Sequence, residues 1–173
     1  MKLISSAAEA ADKNRNFSGS FYLEVIPVSD IISFIMFAAL LLFAAIKDIK
    51  TKTIPDVICV AMIIPAAIRY LFSNLSAVKA IGGLLIAAAP LLLMAWMKRG
   101  TMGGGDIKLS GAAGLVIGFY GAFFMLFASC LFLLCMFAVF KLLGKIKSGS
   151  PIPFAPFIAA GGILAYSLIL LGG

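Results

Sequence analysis

Asp48 and Asp106 are the side chains of this chain best placed to do chemistry. Each stands where a long apolar stretch meets a short polar one, and beyond residue 30 the only other acidic residue is Asp56. An ionisable carboxylate beside a membrane span is costly and marks a candidate functional site. Two neighbouring carboxyls cannot both ionise cheaply, so one keeps a proton while the other acts as a base. Such a pair can activate water against a peptide carbonyl and protonate the leaving amine. It needs no histidine, no metal and no covalent intermediate. Taken alone, each aspartate could equally be an interfacial charge paired with Lys47, Lys50 or Lys108.

The composition excludes most other chemistry. Of 173 residues, 63% are hydrophobic, and the mean hydropathy of +1.15 belongs to a polytopic membrane protein rather than a soluble domain. The chain has no histidine, which removes Ser-His and Cys-His catalysis and the commonest metal ligand. Cys59, Cys130 and Cys135 all fall inside apolar segments, and none belongs to a C-x-x-C pair. They read as small hydrophobes, with no zinc site and no disulfide framework expected. The net charge of +7 is spread over short loops, a membrane-topology pattern rather than a nucleic-acid surface.

The elements that must position the two aspartates follow from the apolar runs. Residues 1–28 read as a polar N-terminal tail and not as a signal peptide. Residues 29–173 read as a single all-α unit of about six transmembrane helices. The first span is expected over 29–47, with Ser29 and Asp30 suited to its N-terminus. The polar stretch DIKTKTIPD follows. Spans are then expected over 57–72, with Pro65 inside, and over 78–97, with Pro90 inside. Residues 107–143 are too long for one span, and Gly118-Phe119-Tyr120-Gly121 is the natural break. That leaves a short helix near 107–118, about 18 Å long, against a hydrocarbon core of ~30 Å. The preceding glycine loop is therefore expected to dip into a protein-lined, wet cavity. The last span is expected over about 154–171.

Lysine and arginine set the orientation. Nine basic residues fall on the side that carries the loops after the first, third and fifth spans, against five on the other. The nine-residue side is expected to face the cytoplasm, with both termini outside. Asp48, Asp56 and Asp106 then share the cytoplasmic side.

Gly103, Gly104 and Gly105 precede Asp106 and allow the backbone a close approach to a neighbouring helix or a substrate chain. The run is not a nucleotide loop, since it lacks G-x-x-x-x-G-K-[ST]. Ser110, Gly114 and Gly118 recur every fourth residue, a small-residue face for tight helix packing that is expected to set Asp106 against the first span.

At these residues the chain resembles a known family. Asp48 through Ile54-Pro55 resembles the first catalytic motif of the type IV prepilin peptidases, an Asp followed by a short polar stretch and Ile-Pro. Gly103-Gly104-Gly105-Asp106-Ile107-Lys108 resembles their G-x-G-D motif with a lysine two residues on. Ile152-Pro153-Phe154-Ala155-Pro156-Phe157 resembles the Pro/Phe-rich segment that opens their last span. The motifs stand in the family's order and frame residues 48–157. The resemblance implies an intramembrane aspartic endopeptidase of the cytoplasmic membrane. It would remove the short basic leader of prepilin-like substrates at the cytoplasmic face, without a cofactor. Asp48 and Asp106 carry over as the catalytic pair, with acid and base unassigned. Gly103, Gly105, Lys108, Ile54, Pro55 and Asp56 carry over as motif or supporting residues. Larger members bear an insertion with paired C-x-x-C motifs and methylate the new N-terminus. This chain has neither the insertion nor such cysteines, so cleavage without methylation is expected; its small size is similar to the tight-adherence (Flp) pilus peptidases or the archaeal preflagellin peptidases, and the Ile-Pro-Phe segment favours the former. Expected partners are a prepilin or pilin-like substrate and membrane lipids, not nucleic acid.

Two other readings stay open. A presenilin or signal-peptide-peptidase type would share G-x-G-D but uses Tyr-Asp and Pro-Ala-Leu motifs, whereas Lys47 precedes Asp48 here and no Pro-Ala-Leu occurs. A non-enzymatic assembly subunit or proton-coupled transporter would also use membrane carboxylates, more often near the midplane.

Overall fold

The computed structural model describes residues 28–72, 76–97, 103–142 and 153–172. The expected tail therefore lies outside the described residues, apart from Val28. The described residues form helices α1 (Val28–Thr51), α2 (Asp56–Ala61), α3 (Ile63–Phe72), α4 (Ala77–Met97), α5 (Gly104–Leu142) and α6 (Ala155–Gly172). Among them there is no strand. Val28–Thr51, Ala77–Met97 and Gly104–Val139 are each long and apolar enough to cross a membrane, and Ala155–Leu171 is a shorter apolar helix. The chain is an all-α polytopic membrane protein.

Local chemistry explains the breaks. The second apolar run, expected as one span, is interrupted at Met62. Pro65 cannot donate to the carbonyl four residues back and its ring crowds that turn, so the helix restarts with Pro65 in its first turn. The Met62 N–H still bonds Ile58 O, and the Ala66 N–H bonds Met62 O, so α2 and α3 form one interrupted rod. Pro90, by contrast, stays inside a continuous α4.

Within α5, Gly118 has φ 77° and ψ −176°, outside helical geometry. The contacts reverse direction there. Residues 106 to 116 rise from Ile54 toward Arg69. After the break, Gly121 packs by Ile169, and Ser129 packs farther back, by Gly161. The 39-residue element is therefore two antiparallel rods, as the glycine-rich break predicts. Among the described residues six rods result, alternating in direction. The C-terminus of α1, the start of α2, the start of α5 and the start of α6 meet at one end of the bundle.

The small-residue face behaves differently from expectation. It packs against α4, not α1: Ser110 Oγ donates to Ala87 O at 3.0 Å, and Gly114 faces the backbone of Gly83. The α4–α5 interface is the most extensive in the molecule, while α1 packs mainly on α6 and α3. Large apolar side chains such as Phe43, Val57, Leu85, Trp96 and Phe127 stay exposed around the outside, as a lipid-facing surface requires.

Candidate active site

Asp48 lies inside the last turn of α1, not in the loop that was expected to begin there. The helix runs four residues further, to Thr51, because the stop is built beyond it. Lys52 adopts φ 52°, and its N–H closes onto Asp48 O at 2.8 Å, the left-handed cap that ends helices. The Thr51 hydroxyl donates to Lys47 O at 2.9 Å, and the Thr53 hydroxyl donates to Thr51 Oγ1 at 3.0 Å. This tight turn sends Ile54-Pro55 back across the end of the bundle. Pro55, at φ −65° and ψ 133°, then leads into α2.

The Asp48 side chain is buried, at 6% exposure. Its Oδ2 accepts the Ala155 N–H at 3.2 Å. That donor is the first amide of α6, which has no partner within its own helix. The Pro/Phe-rich segment is built around the same end. Phe154 O receives the Phe157 and Ile158 N–H groups at 3.0 and 3.2 Å, and Pro156 has no amide hydrogen to satisfy. The carboxylate thus sits at the positive end of a helix dipole.

Asp106 lies in the first turn of α5, since helix begins at Gly104 rather than after the glycine loop. Its N–H bonds Gly103 O at 3.1 Å. Among the described residues, the buried Asp106 Oδ1 has no hydrogen-bond partner, a rare state for a native polar atom. Asp48 is near enough for its charge to act on Asp106. Among the described residues neither is in an ion pair: Lys108 Nζ instead holds both oxygens of Asp56, at 2.8 and 2.9 Å. The expected alternative partners Lys47, Lys50 and Lys108 therefore do not neutralise the pair.

The glycines have distinct surroundings. A Cβ on Gly105 would stand 3.0 Å from Ile54 Cβ, so the start of α5 and the Ile54-Pro55 segment touch backbone to side chain. A Cβ on Gly103 would meet Asp106 Oδ2 at 3.3 Å, while one on Gly104 would meet nothing among the described residues. Lys108 and Asp56 are exposed and join α5 to α2 beside the pair, rather than touching it.

Sequence reasoning missed Arg69, which it counted only among the five basic residues of the side opposite the aspartates. The side chain is buried, at 8% exposure, and lies at the opposite end of the bundle. A lone arginine inside the apolar run 57–72, four residues after Pro65 on the same buried face, was the available signal.

A model of the type IV leader peptidase family matches residues 35–140. The prepilin leader peptidase/N-methyltransferase of Bacillus subtilis (strain 168) is 38% identical over 135 residues, which cover 76% of this chain and 54% of that protein. The chain spans about half the length of this curated relative. No solved structure matches the chain significantly.

Proposed function

The chain belongs to the type IV leader peptidase family, and on that premise we propose that it is an aspartic endopeptidase that removes the leader of prepilin-like substrates, with Asp48 and Asp106 as the catalytic pair. The observation that carries this reading is the placement of two carboxylates from distant segments at one end of the bundle, with no lysine among the described residues neutralising either. Asp48 already has one oxygen held by the Ala155 amide. Asp106 Oδ1 is the atom left open for the shared proton or for a substrate amide.

In the step this supports, one carboxylate takes a proton from water as the water oxygen attacks the scissile carbonyl carbon. The carboxylic acid partner donates its proton to the carbonyl oxygen. Collapse of the tetrahedral diol breaks the C–N bond: one diol hydroxyl returns its proton to the ionised carboxylate as the carbonyl re-forms, and the leaving amine takes a proton from the other carboxyl. The two carboxyls end with the single shared proton they began with.

The site end faces the cytoplasm in this reading, supported by the excess of lysine and arginine there and by the shared end of all three motifs. Residues 29–173 act as one peptidase unit in the cytoplasmic membrane. Ile54, Pro55, Gly103 and Gly105 hold the start of α5 against the α1–α2 turn, and Lys108 and Asp56 brace it. The product leaves without an N-methyl group; the support is that no cysteine of this chain forms a C-x-x-C pair.

The test is co-expression with a membrane chain that has a basic start, then glycine, then an apolar helix, followed by a mass measurement of its N-terminus. Wild type should yield a shortened, unmethylated product, and Asp48→Asn or Asp106→Asn should yield none while inserting normally. Near wild-type processing by either variant overturns the pair. Cleavage inside the apolar helix, rather than at the leader's edge, would point to a signal-peptide-peptidase type instead.

A further inference from the structure

At the end of the bundle away from the two aspartates, Arg69 joins four rods. From α3, its Nε lies 3.3 Å from Asp30 Oδ1 on α1. Its Nη1 donates to Val116 O of α5 at 2.9 Å. Its guanidinium lies 4.8 Å from the ring centre of Tyr166 on α6, whose hydroxyl donates to Asp30 O at 3.3 Å. Val116 stands in the turn just before the break at Gly118, where carbonyls lack their intrahelical partner. The planar guanidinium can serve the carboxylate, the carbonyl and the ring together, which a lysine ammonium cannot.

This node matters because α1 and α5, which carry Asp48 and Asp106, share almost no direct interface. Their relative height must be set by what both of them touch. At the aspartate end, Asp48 is held through the Ala155 amide, and α5 is braced by Ile54 and by an exposed ion pair. An exposed pair contributes little. At the far end Arg69 is buried and binds both rods directly, about 15 Å along α5 from Asp106 and about 27 Å along α1 from Asp48, at ~1.5 Å per residue. A helix transmits an axial shift along its length nearly undiminished, so a slip at Arg69 becomes a slip between the carboxyls.

We propose that Arg69 is a positioning residue for hydrolysis: through Asp30 and Val116 it sets the axial register of the two aspartate-bearing helices, and thereby the spacing of their carboxyls. The inference rests on Asp48 and Asp106 being the catalytic pair.

The test uses the full chain in detergent, with a synthetic membrane peptide carrying a basic leader, a glycine and an apolar helix as the probe. Folded protein is quantified first, so that rates are per folded molecule. Arg69→Met is expected to lower kcat at least about tenfold while KM stays within about twofold, since misplaced reacting groups cost rate more than binding. Asp30→Asn should fall in the same direction, and the double variant should be no slower than Arg69→Met alone, because both break one node. Leu133→Ala, which loosens packing elsewhere, should melt earlier with kcat unchanged. Should Arg69→Met not fold, Arg69→Lys and Tyr166→Phe are read by the same measure. A wild-type kcat in the folded Arg69 variants, or a rise in KM at constant kcat, overturns the proposal. Activity in Asp48→Asn or Asp106→Asn would instead overturn the catalytic pair itself, and the same assay separates the two failures.

Discussion

At the scale of single residues, the three glycines before Asp106 are not equivalent. Gly105 meets Ile54 so closely that an added methyl must push α5 off the α1–α2 turn, an overpacking cost of about 1–3 kcal/mol. Gly105→Ala is expected to lower peptidase activity about tenfold through displacement of Asp106, whereas Gly104→Ala, facing open space, should leave the rate unchanged. Gly103→Ala should fall between them, since the atom it crowds is the movable end of Asp106. A rate series on the three variants checks the order, and equal losses at all three would contradict it. The proposed pair also dictates a pH profile. Activity is lost on the acid side when the ionised partner gains a proton, and on the alkaline side when the shared proton leaves. The rate should therefore be bell-shaped, with both limbs belonging to the pair. A single sigmoidal limb between pH ~3 and ~9 would argue against two coupled carboxyls.

Among the elements, the α4–α5 contact is the least tolerant. A Cβ on Gly114 would collide with the Gly83 carbonyl oxygen, and one on Gly83 with the Gly114 carbonyl oxygen. Backbone cannot rotate away as a side chain can. Gly114→Ala or Gly83→Ala should therefore cost at least about 2–3 kcal/mol, read as a lower melting temperature or as loss of folded protein in detergent. Gly118 adds a conformational demand: at φ 77°, any side chain strains the reversal of α5. Lys52 presents the opposite case. It holds φ 52° without being glycine, so Lys52→Gly should leave the cap intact and stabilise the protein by up to about 1 kcal/mol. The helix reading of the sequence came close at both sites. The break at Gly118 was legible because glycines cluster there. The extension of α1 past Asp48 was not, because its cap uses a lysine in a conformation that sequence patterns assign to glycine or asparagine.

For the whole molecule, alternating rods place every motif at one end and the Arg69 node at the other. Arg69, one of the five basic residues counted on the side opposite the aspartates, is buried, so the smaller set loses one member and the charge asymmetry grows. Cytoplasm-active reporters inserted after residue 99 or 147 should be active, and one inserted after residue 74 should not. The reverse pattern would turn the active site outward. The Lys108–Asp56 bridge, although it links two motif-bearing segments, is open to solvent. A double-mutant cycle on folding should show little coupling, so a marked effect of Lys108→Met on rate would reflect the site and not stability.

By itself the sequence determined the membrane class, the approximate spans, the reversal at Gly118 and the aspartates worth testing. These are local properties: hydropathy over a span, a cluster of glycines, a carboxylate at the edge of an apolar run. Only the tertiary structure decided that the small-residue face of α5 meets α4, that Asp48 caps α6, that Lys108 binds Asp56, and that Arg69 is buried among four rods. Each of those depends on which helix lies beside which. In an apolar solvent that choice is made by close packing and by the pairing of buried polar groups distant in sequence, not by the hydrophobic pattern alone.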